Sequence, residues 1–251
     1  MHDFLQSFSS NLFADKTVLV TGGSSGIGLE IARGFAHLGA RVIAAGSSTQ
    51  KIQALAAQAA TPGLSFKRLD VGDPGAILDF VQTLGTLDIL INAAGIARPG
   101  DEYLDEVFQN VIDINLTSAM RLSMAALPLL EKSRGSIINI ASMLSYMADA
   151  DVPAYCASKS GVVGLTRALS HRFGPKGIRV NAIAPGYHRT DMTRGLWEDA
   201  KAAEKIEQRT ALKRWGEASD LVGAALFLSG PAAAYITGVT LPVDGGYVSG
   251  S

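Results

Sequence analysis

The chain has 251 residues, with 22 Lys and Arg against 23 Asp and Glu and no long block of either sign. That balance excludes the basic stripe of a nucleic-acid binder and the basic face of a membrane-surface helix, and no apolar run is long enough to span a bilayer. A single cysteine, Cys156, excludes an internal disulfide, and the length suits one domain, 1–251, with a sizeable core.

Met1 to Ser10 has an acidic Asp3 and neither the basic cluster nor the apolar run of a signal peptide, so a cytoplasmic location is expected. Phe4, Phe8 and Leu12 recur every four residues, an apolar stripe if the arm is helical, suited to closing one end of the core. Thr17 to Val20 is a short apolar run that enters Thr21-Gly-Gly-Ser-Ser-Gly-Ile-Gly28, and Leu29, Ile31, Ala32 and Phe35 follow at helical spacing. This reads as strand, glycine turn, helix. Gly22, Gly26 and Gly28, with Ser24, Ser25 and Ile27 between them, let the backbone approach a pyrophosphate at a helix N-terminus. An ordinary tight turn is the plain alternative, and the position directly after a buried strand favours the cradle.

Arg41 to Ala45 is a second strand, followed by Gly46-Ser47-Ser48-Thr49, where a dinucleotide fold senses the adenosine ribose. No carboxylate stands there to repel a 2′-phosphate, and no arginine to grip one. Ser47 and the nearby Lys51 tilt the choice between NAD and NADP toward NADP. Ile52 to Ala60 reads as a helix, Leu64 to Leu69 as a strand ending at Asp70-Val71, and Asp73-Pro74 as a helix start with Asp as N-cap. Leu87 to Ile91 is a fourth strand leading into Asn92-Ala93-Ala94-Gly95, whose small residues leave room for a ligand. One long helix is expected from about Glu102 to Glu131, with Asn115 inside it.

Gly135 to Ala141 is a fifth strand with Ser142 at its C-terminal end. A helix from about Val152 to Phe173 carries Tyr155 and Lys159, four residues apart and so on one face. A cation beside a phenol favours the phenolate and makes the pair an acid-base device. Ile178 to Ala184 is a sixth strand closed by Pro185-Gly186. Tyr187 to Trp215 breaks the alternation with a charged helix and no strand, as a substrate lid would; Thr240 to Val243 is a seventh strand. The expected fold is α/β, a doubly wound, seven-stranded parallel sheet of Rossmann type with helices on both faces.

In order and spacing, Thr21-Gly-x-x-x-Gly-x-Gly28, Asn92-Ala-Ala-Gly95, Asn115, Ser142, Tyr155-x-x-x-Lys159, Pro185-Gly186 with Thr190, and Val243-Asp-Gly-Gly246 resemble the short-chain dehydrogenase/reductase family, its compact single-domain branch. The resemblance implies an NAD(P)-dependent oxidoreductase that interconverts a secondary alcohol and a ketone. In it Tyr155 is the acid or base, Ser142 holds the substrate oxygen, Lys159 binds the nicotinamide ribose and lowers the phenol pKa, and Asn115 supports a water. It further implies that the glycine turn, Asp70, Val71, Asn92, Ala93, Gly95, Pro185, Gly186 and Thr190 line the cofactor cleft, and that the chain forms a homotetramer. The residues expected around a small-molecule substrate are Met143, Leu144, Tyr187, His188, Met192 and Trp197, which suit a sugar or polyol, a hydroxy acid or a small ketone. Arg98, His188 and Arg189 could pair with a carboxylate, although plain surface charge is the favoured reading of each. A catalytically silent cofactor-binding module is the competing reading, but such a module would be expected to have lost part of the Asn115, Ser142, Tyr155 and Lys159 set. Nothing in the sequence suggests a metal.

Overall fold

A computed structural model describes residues 3–58 and 61–250. Seven parallel strands form one sheet in the order β3-β2-β1-β4-β5-β6-β9: β1 (Thr17–Thr21), β2 (Arg41–Gly46), β3 (Leu64–Arg68), β4 (Ile89–Asn92), β5 (Ser136–Ile140), β6 (Arg179–Pro185) and β9 (Thr240–Val243). The helices between them are α1 (Gly26–His37), α2 (Thr49–Ala56), α3 (Pro74–Gln82), α4 (Asp105–Ile112), α5 (Ser118–Ser133), α6 (Pro153–Phe173), α7 (Arg194–Trp197), α8 (Ala200–Arg209) and α9 (Val222–Ser229). The last two residues of the helix expected over Ile52 to Ala60 lie outside the described residues. Two short strands, β7 (His188–Arg189) and β8 (Gly216–Glu217), pair with each other in parallel.

Because both faces of the sheet are covered, its central strands read as continuous apolar runs, and successive side chains go to opposite cores. Val18 and Val20 join Ile31, Phe35, Ile138 and Leu226 on one face, while Leu19 joins Leu90, Leu122, Leu130, Ile137 and Phe173 on the other. The N-terminal arm is a 3-10 turn, Asp3–Ser7, rather than a regular helix; it still lays Phe4, Phe8 and Leu12 on the first of these cores. The order reverses between β1 and β4, and at that switch point the carboxyl ends of the strands open into a crevice.

Two expectations are corrected here. The long helix over 102–131 is three pieces, since Asp113–Thr117 widens to a π-helical turn between α4 and α5. A π turn accommodates a residue whose side chain is needed inside, and Asn115 is that residue. The segment beyond Pro185 does contain strand: β7 and β8 clip the two ends of the excursion together. Gly216 permits this, because a Cβ there would lie 2.6 Å from Nε2 of the His188 ring.

Candidate functional site

The crevice is a cleft of about 420 Å³ that runs from the glycine turn past the ends of β2 and β4 to Ser142, Tyr155 and Lys159. The turn is shaped by glycine. Gly22 adopts φ +67°, and a Cβ there would sit 2.6 Å from the carbonyl oxygen of Ala93, while a Cβ on Gly28 would collide with the Gly22 carbonyl. The α1 N-cap, Ser25, makes no side-chain capping bond, so the first-turn N–H groups of this helix are not satisfied by their own cap. A glycine cradle around an uncapped helix N-terminus fits a dinucleotide pyrophosphate. Gly22→Ala should therefore lower the melting temperature and weaken nucleotide binding at least tenfold, as read by thermal unfolding and nucleotide fluorescence titration; a variant that binds normally would refute the cradle.

Sixteen of the seventeen expected cofactor residues line this cleft: Gly22, Ser24, Ser25, Gly26, Ile27, Gly28, Ser47, Asp70, Val71, Ala93, Gly95, Tyr155, Lys159, Pro185, Gly186 and Thr190. Asn92 does not. Its Nδ2 donates to Asn139 Oδ1 at 2.8 Å, and Asn139 in turn donates to Thr166 at 2.9 Å, so Asn92 belongs to a buried polar chain that ties β4 and β5 to α6. Sequence reasoning left out Ser48, which caps α2 by accepting from Lys51 N at 3.2 Å, and Asp191, whose carboxylate meets Lys51 Nζ at 3.4 Å across the cleft mouth. In sequence Asp191 looks like half of a local surface ion pair, which it does form with Arg194 at 2.6 Å; only the fold brings it to Lys51, 140 residues away.

The acid-base group is assembled from three elements. Ser142 follows β5 and accepts from Leu144 N at 3.1 Å, which sets its hydroxyl at the strand tip. Tyr155 and Lys159 come from one face of α6, and Lys159 Nζ lies 5.4 Å from the centre of the Tyr155 ring. Asn115 stands behind them: its Oδ1 accepts from Ile96 N at 2.8 Å, and its Nδ2 donates to Ile96 O at 2.9 Å and to Ser158 Oγ at 3.1 Å. It thus clamps the loop after β4 onto α6. Asn115 does not itself line the cleft, but a Cβ on Gly95 would lie 3.4 Å from its Oδ1 and 3.5 Å from Lys159 Nζ.

Burial pushes the Tyr155 phenol up to about 12; the nearby Ser142 hydroxyl acts the other way, and the neighbourhood of Cys156 and Glu102 adds to the rise. Burial also brings the Lys159 ammonium down to about 8, while Nζ donates to Ile140 O at 2.8 Å. Desolvation is the largest influence on the phenol and sets it above its ordinary value. At neutral pH the phenol holds its proton and stands ready as a donor.

One buried acid was not anticipated. Glu102 is 0% exposed, and its two oxygens accept from Arg98 N and Tyr155 N, each at 2.8 Å.

The six expected substrate residues separate. His188 and Met192 reach the cleft, whereas Met143, Leu144, Tyr187 and Trp197 pack with Ile206, Trp215 and Tyr247 in an apolar cluster beneath the excursion. The Trp197 indole donates to Thr190 O at 3.1 Å, and the Tyr187 ring lies 5.6 Å from Trp215 and 5.3 Å from Tyr247. His188 is buried with Nδ1 3.0 Å from Gly186 O, and burial holds its pKa below the usual histidine value. Among the described residues, no cluster of His, Cys, Asp or Glu could hold a metal ion, and no helix is long and apolar enough to cross a membrane.

A dinucleotide cradle that opens onto a serine, a tyrosine and a lysine is the arrangement of a nicotinamide-dependent alcohol dehydrogenase or ketone reductase. The chain belongs to the short-chain dehydrogenase/reductase family and is an NAD(P)-dependent oxidoreductase interconverting a secondary alcohol and a ketone. Residues 22–248 match a family profile described as enoyl-(acyl carrier protein) reductase. The chain is 41% identical to 2-dehydro-3-deoxy-D-gluconate 5-dehydrogenase of Bacillus subtilis, over 93% of this chain and 95% of that protein. It is 38% identical to the 3-oxoacyl-acyl-carrier-protein reductase FabG of Escherichia coli, over 93% of this chain and 98% of that one. A solved gluconate 5-dehydrogenase from Burkholderia cenocepacia, in complex with NADP and tartrate, superimposes with a TM-score of 0.89 at 32% identity, covering 96% of this chain and 99% of its own.

Proposed function

We propose that the chain is a sugar-acid dehydrogenase that works with NADP(H), with Tyr155 as acid and base, Ser142 and Lys159 as its partners and Asn115 as their support. The observation that carries the reaction is the convergence of Ser142, Tyr155 and Lys159 on one cleft beside the glycine turn, because two hydroxyls that share a cleft can meet one substrate oxygen. The bound nicotinamide supplies or accepts the hydride. In ketone reduction Tyr155 donates its proton to the substrate oxygen as the alcohol forms, and Ser142 steadies that oxygen. In the oxidative direction Tyr155 takes the proton back, a task eased by the Lys159 ammonium. The glycine turn would hold the pyrophosphate, and Pro185, Gly186 and Thr190 the nicotinamide end.

The sugar-acid class is supported by the relatives named gluconate or 2-dehydro-3-deoxygluconate dehydrogenase, and NADP by the neighbour solved with it. Ser47 and Lys51 at the ribose end, with no carboxylate directly after β2, agree with a 2′-phosphate. Residues 187–215 are read as the lid of a single domain, clipped at its neck by β7 and β8 and bringing Met192 and Thr193 to the cleft. A homotetramer agrees with the exposed Phe108, Met120 and Met124 on α4 and α5 and with Leu241 on the edge strand β9. Light scattering should then return four chain masses; a monomer would refute the assembly. A cytoplasmic setting agrees with the free thiol of Cys156.

The test of substrate class is nicotinamide absorbance with D-gluconate and with 2-dehydro-3-deoxy-D-gluconate, each with NAD and NADP, beside a 3-oxoacyl thioester with NADPH. Turnover of a sugar acid with NADP preferred is expected. Turnover of the thioester alone would replace this reading with that of an acyl reductase.

A further inference from the structure

We propose that Glu102 is a positioning residue for Tyr155, its buried carboxylate fastening the loop after β4 to the first turn of α6 so that the phenol is held in register with the substrate oxygen. This inference rests on the reading of Tyr155 as the acid and base.

Helix α6 has no cap of its own. Its N-cap, Val152, has no side chain able to accept a hydrogen bond, and Pro153 follows at the first helical position, so the N–H of Tyr155 would be left without a partner. Glu102 supplies the missing acceptor from 53 residues earlier in the chain, while its other oxygen takes the N–H of Arg98. Burying a carboxylate completely is costly unless donors surround it, and among the described residues no ion pair reaches Glu102. The two N–H groups and the positive end of the helix dipole are what offset that cost.

A serine or aspartate at position 152 would cap the helix without burying a charge between two segments. What Glu102 adds over a local cap is coupling. The loop after β4 is held at Ile96 by Asn115, at Arg98 by Glu102, and at Gly100 by a 2.9 Å bond from its N–H to the Asp151 carbonyl. Glu102 thus joins the backbone at Tyr155 to the same loop that Asn115 clamps, and the wall of the site and its acid-base group move as one body.

The decisive variant is Glu102→Gln, which keeps size and shape but turns an NH2 group toward one of the two N–H donors. We expect kcat to fall at least tenfold, with the cofactor dissociation constant and KM for cofactor within twofold of the parent. In the oxidative direction the rise of kcat with pH should move to lower pH, because a negative charge near the phenol is gone. Ser142, Cys156 and Lys159, the other polar or titratable groups facing Tyr155, are unchanged. Glu102→Asp, long enough for one donor at most, should fall between the two. A Glu102→Gln protein that melts lower yet, well below its melting temperature, keeps the parental kcat and pH profile would overturn the proposal. Should that variant not fold, parental kcat in Glu102→Asp would overturn it equally. Tyr155→Phe run alongside separates the failures: if it retains turnover both readings fall, and if it is dead while Glu102→Gln is normal only this one does.

Discussion

Tyr155→Phe should lower kcat by about 10³-fold, within the range that a positioned proton donor contributes, while the cofactor dissociation constant changes by less than about twofold. The substitution removes one oxygen from a half-buried ring at the cleft wall and leaves the ring's packing. Ser142 keeps its bond from Leu144 N, so the strand tip does not collapse into the space. Lys159 keeps its bond to Ile140 O, so the ribose end of the cleft retains its cation. Steady-state rates with the best substrate from the screen, beside nucleotide fluorescence titration, measure the two quantities. Near-parental turnover would mean that the proton comes from elsewhere, and the mechanism would fail. The melting temperature should move little, because a phenol pushed up to about 12 is neutral at pH 7 in both folded and unfolded chains and a neutral ring replaces it.

How far the sequence alone carries the fold and site follows from where each signal sits along the chain. Strands such as Thr17 to Val20 and Leu87 to Ile91 are rich in β-branched and other apolar residues because the sheet is covered on both faces, and their alternation with helices defined the sheet. The glycine turn, Ser142, Tyr155 and Lys159 were legible because their chemistry is local: a strand end, a helix start, a four-residue spacing. Asn92 faced the wrong way in the sequence reading, since the side of a strand end that a residue occupies depends on register with β5, where Asn139 waits for it. The π turn at Asn115 was invisible because its cause is a contact with Ile96 across the loop. Glu102 resembled any surface acid ahead of a helix; only the fold reveals that it accepts from Tyr155. The aromatic residues of the excursion are ambiguous in sequence for a related reason. An aromatic such as Tyr187 looks alike in sequence whether it faces a ligand or, as here, packs on Trp215 and Tyr247.

Lys159→Met should abolish useful turnover and yet raise the melting temperature at neutral pH. The ammonium is 4% exposed, and burial brings its pKa from 10.5 down to about 8, a difference worth about 3 kcal/mol against the charged folded form. Below about pH 8 the lysine is protonated in both folded and unfolded chains, so the folded state bears that whole penalty. Between about pH 8 and the unfolded value of 10.5 the folded chain releases its proton while the unfolded chain keeps it, and stability rises with pH. Tyr155 and Tyr187, both held up at about 12 by burial, work in the opposite sense, but only above the unfolded tyrosine value of 10. The window from about pH 8 to pH 10 therefore isolates Lys159. Methionine has nearly the length of the stem and no charge to desolvate, so the variant should melt higher than the parent at pH 7, with a gap that narrows as the pH climbs through that window. The kcat should fall by about 10² to 10⁴, because the cation that eases proton removal from Tyr155 has gone. Thermal unfolding of both proteins from pH 7 to pH 10 gives the comparison directly. A variant less stable than the parent at pH 7, by a margin that does not change with pH, would show that the ammonium is held by contacts that outweigh its desolvation. The site would then carry no stored cost for its chemistry.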